Sequence, residues 1–466
     1  MVTLRPEHRR CSIHAKVAQL VEHDLAKVGV ASSNLVFRSK AFHLGRLFLW
    51  TKFCLLPIEI TMKILSDKKV SNQGVATILA FALLPLSGFA TDIYIPSMPS
   101  MEAALSVSSL QVQLTLSFFL ISYGVGQLFV GSIVDSFGRY NISLGSLILF
   151  IASCIAISNT GNIYIIYLMR IIQGITVASV VVAKRAYFVD VYSGDQLKGY
   201  LSIFTIVWST GPIIAPFLGG YLQNFFGWES NFYFLAAFAT IILVLELIFS
   251  GETIRQPTAF HIRKIINIYG EMIGTASFTL GIMMLGLAYS MVMIYNMSGP
   301  FVIEHAFRMS PIVTGYCSLI LGFAWMVGGF IGKATIKSPM LKKMVVNVGL
   351  QLTFTVLMIV SLGYLENLYT LLFFAFLIHV GAGYTYNNYF AYCLTRFPKN
   401  AGISGGLTGG IVYILVSFLS YKIIDVFPAK DQLNLSYGYF VLALGSCVLM
   451  FILARYLNRP DQQREA

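Results

Sequence analysis

Long apolar stretches separated by short polar segments are the dominant pattern of this sequence. A helix needs about 20 mostly apolar residues to cross the hydrocarbon core of a membrane, which is about 30 Å thick. Twelve stretches of that length follow residue 70, each bounded by charged residues, Pro or Asn clusters, or Gly turns. The predicted spans are 74–96, 110–132, 141–159, 162–184, 199–221, 230–250, 272–297, 311–332, 343–363, 367–391, 402–424 and 436–457. The pattern predicts an all-α integral membrane protein with 12 transmembrane helices.

The composition narrows the class of protein further. Apolar residues (AVILMFWYC) make up 57% of the 466 residues and charged residues only 11%, whereas a soluble domain carries roughly 25% charged residues. This balance excludes a disordered chain, a nucleic-acid-binding domain and almost any soluble enzyme. In so apolar a chain, the net charge of +12 indicates contact with anionic membrane lipid, not with nucleic acid. The six cysteines are scattered without a CxxC pair, so neither a disulfide framework nor a metal site is predicted.

Basic residues lie almost entirely in one set of loops. If the segment 63–69 is cytoplasmic, 19 Lys and Arg residues lie in loops on that side of the membrane and three on the other, with Arg170 inside a span. Cytoplasmic loops carry such an excess of basic residues. We therefore expect a multi-pass protein of the inner (plasma) membrane with both termini in the cytoplasm.

The segment 251–271 is the longest polar stretch between predicted spans, and it divides the twelve spans into six and six. This division is typical of secondary transporters that are built from repeated halves. It predicts an N-terminal six-helix bundle over 62–250, a cytoplasmic linker over 251–271 and a C-terminal six-helix bundle over 272–466.

Residues 1–61 do not follow this pattern. Their only apolar run, 47–60, is interrupted by Lys52 and Pro57 and is too short to span a membrane. The stretch 17–40 looks like the conceptual translation of a tRNA gene, so we expect a spurious extension with Met62 as the natural start. A disordered tail and a targeting peptide are the alternatives, although no apolar segment with a cleavage site is present.

The second predicted span ends in a motif with a physical role for each position. It reads Gly131-Ser-Ile-Val-Asp135-Ser-Phe-Gly138-Arg139. Gly131 would let another helix approach closely, Asp135 can cap or pair, and Gly138 permits a turn. The motif resembles the loop between helices 2 and 3 of the major facilitator superfamily, which implies the major facilitator fold and a gating latch at the cytoplasmic mouth. Tyr140 stands where the superfamily usually has a second basic residue, and ordinary loop charges are the alternative interpretation.

Three further motifs resemble drug:proton antiporters of the bicyclomycin/chloramphenicol-resistance (Bcr/CflA) type. Ala90-Thr-Asp92-Ile-Tyr94-Ile-Pro96 is similar to the end of their helix 1, and Leu168-Met-Arg170-Ile-Ile-Gln173-Gly174 to their helix 4. The third motif is similar to their helix 5, where it implies a gating role for Gly211, Pro212, Pro216, Gly219 and Gly220. The resemblance implies proton-coupled efflux of small organic molecules by a monomer that uses the proton gradient and no cofactor. An importer and a metabolite or siderophore exporter of the same fold are the alternatives.

Asp92 and Arg170 are the predicted proton-coupling residues. An ionisable side chain within a span is costly unless it has a function or a partner, and burial disfavours the charged form of a carboxylate. Asp92 would therefore carry the proton and Arg170 would tune its protonation. Alternatively, Asp92 is simply wetted or capping at the helix end, and Arg170 only ties loops or helices together. Glu246 and His379 are weaker candidates, each with a structural alternative.

The substrate cavity is expected between the two halves, near the middle of the membrane. The candidates are aromatic and amide residues of the second, seventh and tenth spans, namely Phe118, Tyr123, Tyr295, Asn296, Tyr384 and Asn387.

Residues 402–406 give a remote alternative function. Gly402-Ile-Ser404-Gly405-Gly406 fits the G-x-S-x-G pattern, which would suit an intramembrane serine protease. A serine nucleophile needs a base within hydrogen-bond reach, yet no histidine follows Ser404 in the sequence. A glycine-rich entry to the eleventh span that packs against the second span is the other interpretation.

Overall fold

The computed structural model describes residues 69–254, 262–397 and 401–457, so the predicted extension 1–61 lies outside the described residues. The described helices are α1 (Gln73–Leu83), α2 (Leu86–Asp92), α3 (Met98–Leu105), α4 (Ser109–Phe137), α5 (Arg139–Ser158), α6 (Ile163–Val191), α7 (Gly194–Phe226), α8 (Glu229–Phe249), α9 (Ile262–Gly274), α10 (Ala276–Phe301), α11 (Pro311–Ala334), α12 (Met340–Ser361), α13 (Leu368–Arg396), α14 (Ala401–Val426) and α15 (Gln432–Leu457).

The helices follow the predicted spans. Eleven described stretches are long and apolar enough to cross a membrane, and each coincides with a predicted span. The remaining predicted span, 199–221, lies within α7, a helix of 33 residues that is not among the eleven. Helix α9 begins inside the predicted linker 251–271 and ends at Gly274, so the helix of the predicted seventh span, 272–297, begins later than expected, at Ala276.

Side-chain caps explain where several of these helices begin. The Asn72 side chain accepts a hydrogen bond from the backbone N–H of Val75 at the start of α1. Ser108 and Gln111 form a capping box before α4, and Asn367 caps α13. Each cap satisfies a backbone donor that the first turn of a helix leaves free.

The first span is broken into short helices. Pro85 precedes α2, and Pro96 lies in a 3-10 turn (Ile95–Ser97) between α2 and α3. Proline lacks the backbone N–H that a continuous helix needs and clashes with the preceding turn. As a result, α2 ends at Asp92, whose side chain lies at a break in the span.

Two groups of helices pack mainly within themselves. We call residues 73–249 the first half and 276–457 the second half. In the first half α6 packs on α4 and α5, and in the second half α11 packs on α13 and α12 on α15. Two seams join the halves, one between α4 and α14 and one between α7 and α11. The structure thus has the all-α membrane fold that the sequence predicts, while the boundaries of the two bundles stay a prediction.

Candidate functional site

Asp92 lies at the contact between the two halves. Its side chain is 1% exposed, and its Oδ1 accepts a hydrogen bond from Asn296 Nδ2 of α10 at 3.2 Å. A second hydrogen bond joins the halves beside it, because Gln113 Nε2 of α4 donates to the carbonyl of Met297 at 2.7 Å. The structure therefore brings a predicted proton carrier of one half against a predicted cavity residue of the other. The alternative of a wetted Asp92 does not describe this buried side chain.

Arg170 is fully buried and is held mainly by carbonyl groups. Its Nη1 donates to the carbonyl of Ala90 at 2.9 Å and to Gln173 Oε1 at 2.8 Å, and its Nε donates to the carbonyl of Thr115 at 3.4 Å. These contacts tie α6 to α2 and α4. Within the described residues, no ion pair joins Arg170 to Asp92, and Arg170 Nη2 has no hydrogen-bond partner.

Two aromatic rings complete the surroundings of Arg170. Its Cζ lies 4.5 Å from the ring centroid of Tyr94 and 4.5 Å from that of Phe119. A guanidinium over an aromatic face is attracted by the negative face of the ring, more strongly where water is excluded. The rings and carbonyls thus hold this cation in an apolar region. One of the carbonyls belongs to Ala90, which lies two positions before Asp92 in the broken first span.

A cluster of aromatic side chains crosses the interface between the halves. Tyr123 of α4 meets Tyr413 of α14 edge to face at 4.8 Å. Tyr413 contacts Tyr289 of α10 at 5.7 Å, and Tyr289 contacts Tyr386 and Trp325 at 5.8 Å each. We call these five residues the aromatic cluster. The Tyr123 hydroxyl is buried at this interface.

The other predicted cavity residues do not join this cluster. Phe118 contacts Tyr167 of α6 with the rings tilted by 45° and their centroids 4.9 Å apart. Tyr295 packs inside the second half, with its ring 5.7 Å from that of His379. Tyr384 shares a hydrogen bond of 2.9 Å with Thr335 of α11. Asn387 is exposed and donates to the carbonyl of Gly383 in its own helix at 2.9 Å.

Arg139 lies among several acceptors at the start of α5. Its Nη2 lies 3.1 Å from Asp135 Oδ1, while its Nη1 pairs with Asp190 and donates to the carbonyl of Ala186 at 2.8 Å. The two charged residues of the predicted latch therefore do form an ion pair. Asp190 of α6 extends the pair to a third helix, and we call Asp135, Arg139 and Asp190 the latch cluster.

Glu252 supports the latch cluster from the segment after α8. Its carboxylate accepts hydrogen bonds from the backbone N–H groups of Arg139 and Tyr140, both at 3.1 Å. This places a negative charge on the N-terminus of α5, where it is favourable. Gly138 has φ of +94°, and an added Cβ would lie 2.5 Å from Glu252 Oε2. Glycine thus permits both the turn and the approach of this carboxylate.

The close helix contact that the sequence indicates at Gly131 is not found. An added Cβ at Gly131 would meet no atom within 4 Å. The close contacts of α4 lie earlier in the helix, where an added Cβ at Gly124 would lie 2.6 Å from the carbonyl oxygen of Gly410 in α14. Gly131 lacks such a contact because the two halves touch along the middle of α4 and not at the later helical turn that contains Gly131.

The motif residues of α7 have two packing faces. Gly211 and Pro212 contact Pro85 and Gly88 of the first span, and Gly219 contacts the carbonyl of Ile93. Across the seam, an added Cβ at Gly220 would lie 2.5 Å from the carbonyl oxygen of Pro311 in α11. Likewise, an added Cβ at Gly315 of α11 would lie 2.8 Å from the carbonyl oxygen of Pro216 in α7. Helix α7 thus touches both the span that holds Asp92 and the other half.

Glu246 and Ser404 have structural partners. Glu246 is fully buried, and its Oε2 lies 2.7 Å from Lys184 Nζ, which is 8% exposed. Ser404 donates a hydrogen bond to the carbonyl of Cys393 at 3.0 Å. His379 Nδ1 contacts the carbonyl of Ala375 at 2.7 Å.

Sequence reasoning missed several residues of this site. Gln113, Tyr289, Trp325 and Tyr413 carry no motif, and only their polar or aromatic character within an apolar span distinguishes them. Glu252 also carries no motif, and only its acidic character and its place in the polar segment after the sixth span distinguish it.

The chain was also compared with known proteins. The sequence model of the Major Facilitator Superfamily matches residues 80–421. The bicyclomycin resistance protein homolog of Haemophilus influenzae is 31% identical over 199 residues, which are 43% of this chain and 50% of that protein. This match spans half the length of that relative. Multidrug resistance protein D of Escherichia coli is 24% identical over 342 residues, covering 73% of this chain and 86% of that protein.

Solved structures show the same fold. The D-xylose-proton symporter superposes with a TM-score of 0.61 at 14% identity, covering 81% of this chain and 96% of that chain. The nucleoside transporter NupG gives a TM-score of 0.62 at 13% identity, covering 82% and 98%. At such identities the likeness concerns the fold alone. The family match confirms the prediction of a transporter over that of a serine protease. The chain is a multi-pass membrane protein and belongs to the Major Facilitator Superfamily.

Proposed function

We propose that this transporter exports small organic molecules in exchange for protons by alternating access. The observation that carries the proposal is the buried Asp92 carboxyl, which meets Asn296 of the other half at 3.2 Å. A carboxyl at this position can change its hydrogen bonds across the interface when it gains or loses a proton. The printed names of the relatives, which refer to bicyclomycin and multidrug resistance, support efflux.

The aromatic cluster is the proposed binding surface for the substrate. Aromatic rings offer large apolar contact areas and favour stacked or edge-to-face partners. The buried hydroxyl of Tyr123 adds a polar group to this surface. An organic molecule with an apolar or aromatic portion and a few polar groups fits this chemistry.

The proposed cycle follows from the positions of these groups. Asp92 takes up a proton from the outside and the substrate leaves. The protonated carboxyl then allows the halves to rock about the seams, and loss of the proton to the cytoplasm restores affinity for substrate. The α7 motif would control closure because it touches both the first span and α11, while the latch cluster would set the equilibrium at the other mouth.

The proposal includes the surroundings in which the protein works. We place the chain in the inner membrane as a monomer, with both termini and the linker 251–271 in the cytoplasm. The proton gradient supplies the driving force, and no cofactor is required.

Cells that express the protein and cells that lack it would test the function. Accumulation of a panel of drugs and metabolites is measured with and without a protonophore that collapses the gradient. We expect lower accumulation of at least one compound in expressing cells, and loss of that difference with the protonophore. Higher accumulation in expressing cells would indicate import, and a difference that survives the protonophore would contradict proton coupling.

A further inference from the structure

A groove of about 650 Å³ lies where the linker helix α9, the first turns of α10 and the last turns of α15 meet. Its lining is mostly apolar and includes Ile273, Leu280, Phe451 and Ile452. Phe451 and Ile452 are 58% and 47% exposed, so the groove faces the surroundings of the helices, which in a membrane protein are lipid.

Arg455 places a positive charge at this apolar groove. Its side chain is exposed, and its Cζ lies 4.5 Å from the ring centroid of Phe451. In the described part of the chain Arg455 forms no ion pair. A guanidinium is well suited to a phosphate because its N–H groups match the phosphate oxygens. Charge and apolar lining together match an anionic amphiphile.

Helix α9 has the character of a helix that lies at a membrane surface. On one side Ile268 and Met272 pack against the core, and on the other the polar residues Asn267 and Glu271 are exposed. Helices with such opposed faces lie at the boundary between lipid headgroups and acyl chains. The Tyr269 hydroxyl of α9 donates to the carbonyl of Leu128 in α4 at 2.8 Å. The linker helix therefore contacts the first half and also forms one wall of the groove.

We propose that this groove binds one anionic phospholipid, with Arg455 contacting the phosphate and the apolar residues contacting an acyl chain. The excess of basic residues on the predicted cytoplasmic side indicates the leaflet in which anionic lipids attract such side chains. A lipid seated here packs between α9 and α15 and so stabilises the contact of the linker with the second half. The proposal does not depend on the transported substrate or on proton coupling.

Native mass spectrometry of the purified full chain tests the proposal. The protein is stripped of lipid in detergent and then incubated with equal amounts of phosphatidylglycerol and phosphatidylethanolamine of the same acyl composition. We expect the wild type to retain one phosphatidylglycerol at least several-fold more often than phosphatidylethanolamine. Arg455→Gln should lose this preference, and Arg455→Lys should keep part of it because the charge remains.

Two further variants separate the groove from general charge effects. Lys333→Gln removes an exposed positive charge from the end of α11, away from the groove, and should leave the preference unchanged. Ala276→Phe adds bulk to the lining and should reduce retention of both lipids. Equal retention of the two lipids by the wild type would overturn the proposal, as would an unchanged preference in Arg455→Gln. If Arg455→Gln does not yield folded protein, unchanged retention in Ala276→Phe overturns it instead.

Discussion

Removing one partner of the buried ion pair between Lys184 and Glu246 should strongly destabilise the protein. The two side chains are 8% and 0% exposed, and the charged atoms lie 2.7 Å apart. Lys184→Met leaves the Glu246 carboxylate buried without a cation. Loss of one partner of such a pair costs about 3–5 kcal/mol, because the remaining charge stays desolvated. An exposed pair contributes only about 0–1 kcal/mol, so the burial decides the magnitude.

The thermal midpoint of the purified protein in detergent provides the assay. For domains of 150–250 residues, 1 kcal/mol corresponds to about 2–4 °C, so Lys184→Met should lower the midpoint by roughly 6–20 °C. The double variant Lys184→Met/Glu246→Met should recover most of this loss, because replacing both charges by apolar residues is often neutral or stabilising. Lys198→Met is the matched control, since Lys198 pairs with Asp195 at 2.9 Å with both side chains exposed.

The same variants address whether Glu246 takes part in proton coupling. We expect the double variant to keep proton-dependent transport, because the structure gives Glu246 a structural partner. If Lys184→Met lowers the free energy of unfolding by less than about 1 kcal/mol, the pair of Lys184 and Glu246 contributes no more than an exposed pair would. Loss of coupling in a stable double variant would refute the structural assignment of Glu246.

Three further predictions concern the interfaces. Gly124→Leu should impair transport at normal expression, whereas Gly131→Leu should be tolerated. Of these two glycines, only Gly124 lies close to a backbone atom of the other half. Equal effects of the two variants in uptake assays would contradict this. Glu252→Gln should lower the thermal midpoint by a few degrees, since the N-terminus of α5 loses a charged cap worth about 1 kcal/mol, and an unchanged midpoint would count against the cap. Arg139→Thr should slow transport much more than it weakens substrate binding, as measured by turnover and by equilibrium binding; lost binding at normal turnover would show that the latch assignment is wrong.

The parts of the fold that depend on local sequence were predictable. Apolar runs of about 20 residues locate the helices because the membrane thickness sets their length. Asp135 and Arg139 are also close in sequence and oppositely charged, so a pairing could be expected even though the turn at Gly138 puts them on different helices. Gly138 is also a local feature, since the sharp turn before α5 requires a positive φ.

Contacts between distant parts of the chain were not predictable in the same way. Asp92 and Asn296 are 204 positions apart, and nothing in either motif indicates that the two side chains meet. Tyr295 and Asn296 are neighbours in sequence but point to different surroundings, because successive residues of a helix face different directions. The sequence gives no direction for either side chain, and only the packing of α10 at the contact between the two halves separates them.

Proton release on substrate binding tests the central claim most directly. Substrate identified in the accumulation assay is added to purified protein in weakly buffered detergent solution, and the change in pH is recorded for wild type and for Asp92→Asn. The carboxamide keeps the shape and hydrogen-bonding capacity of the side chain but cannot carry the exchanged proton. If substrate and proton compete for one state, the wild type should release protons in proportion to bound substrate, by linkage. Asp92→Asn should bind substrate with little or no release. Equal release from both proteins would contradict the account and move the coupling site away from Asp92.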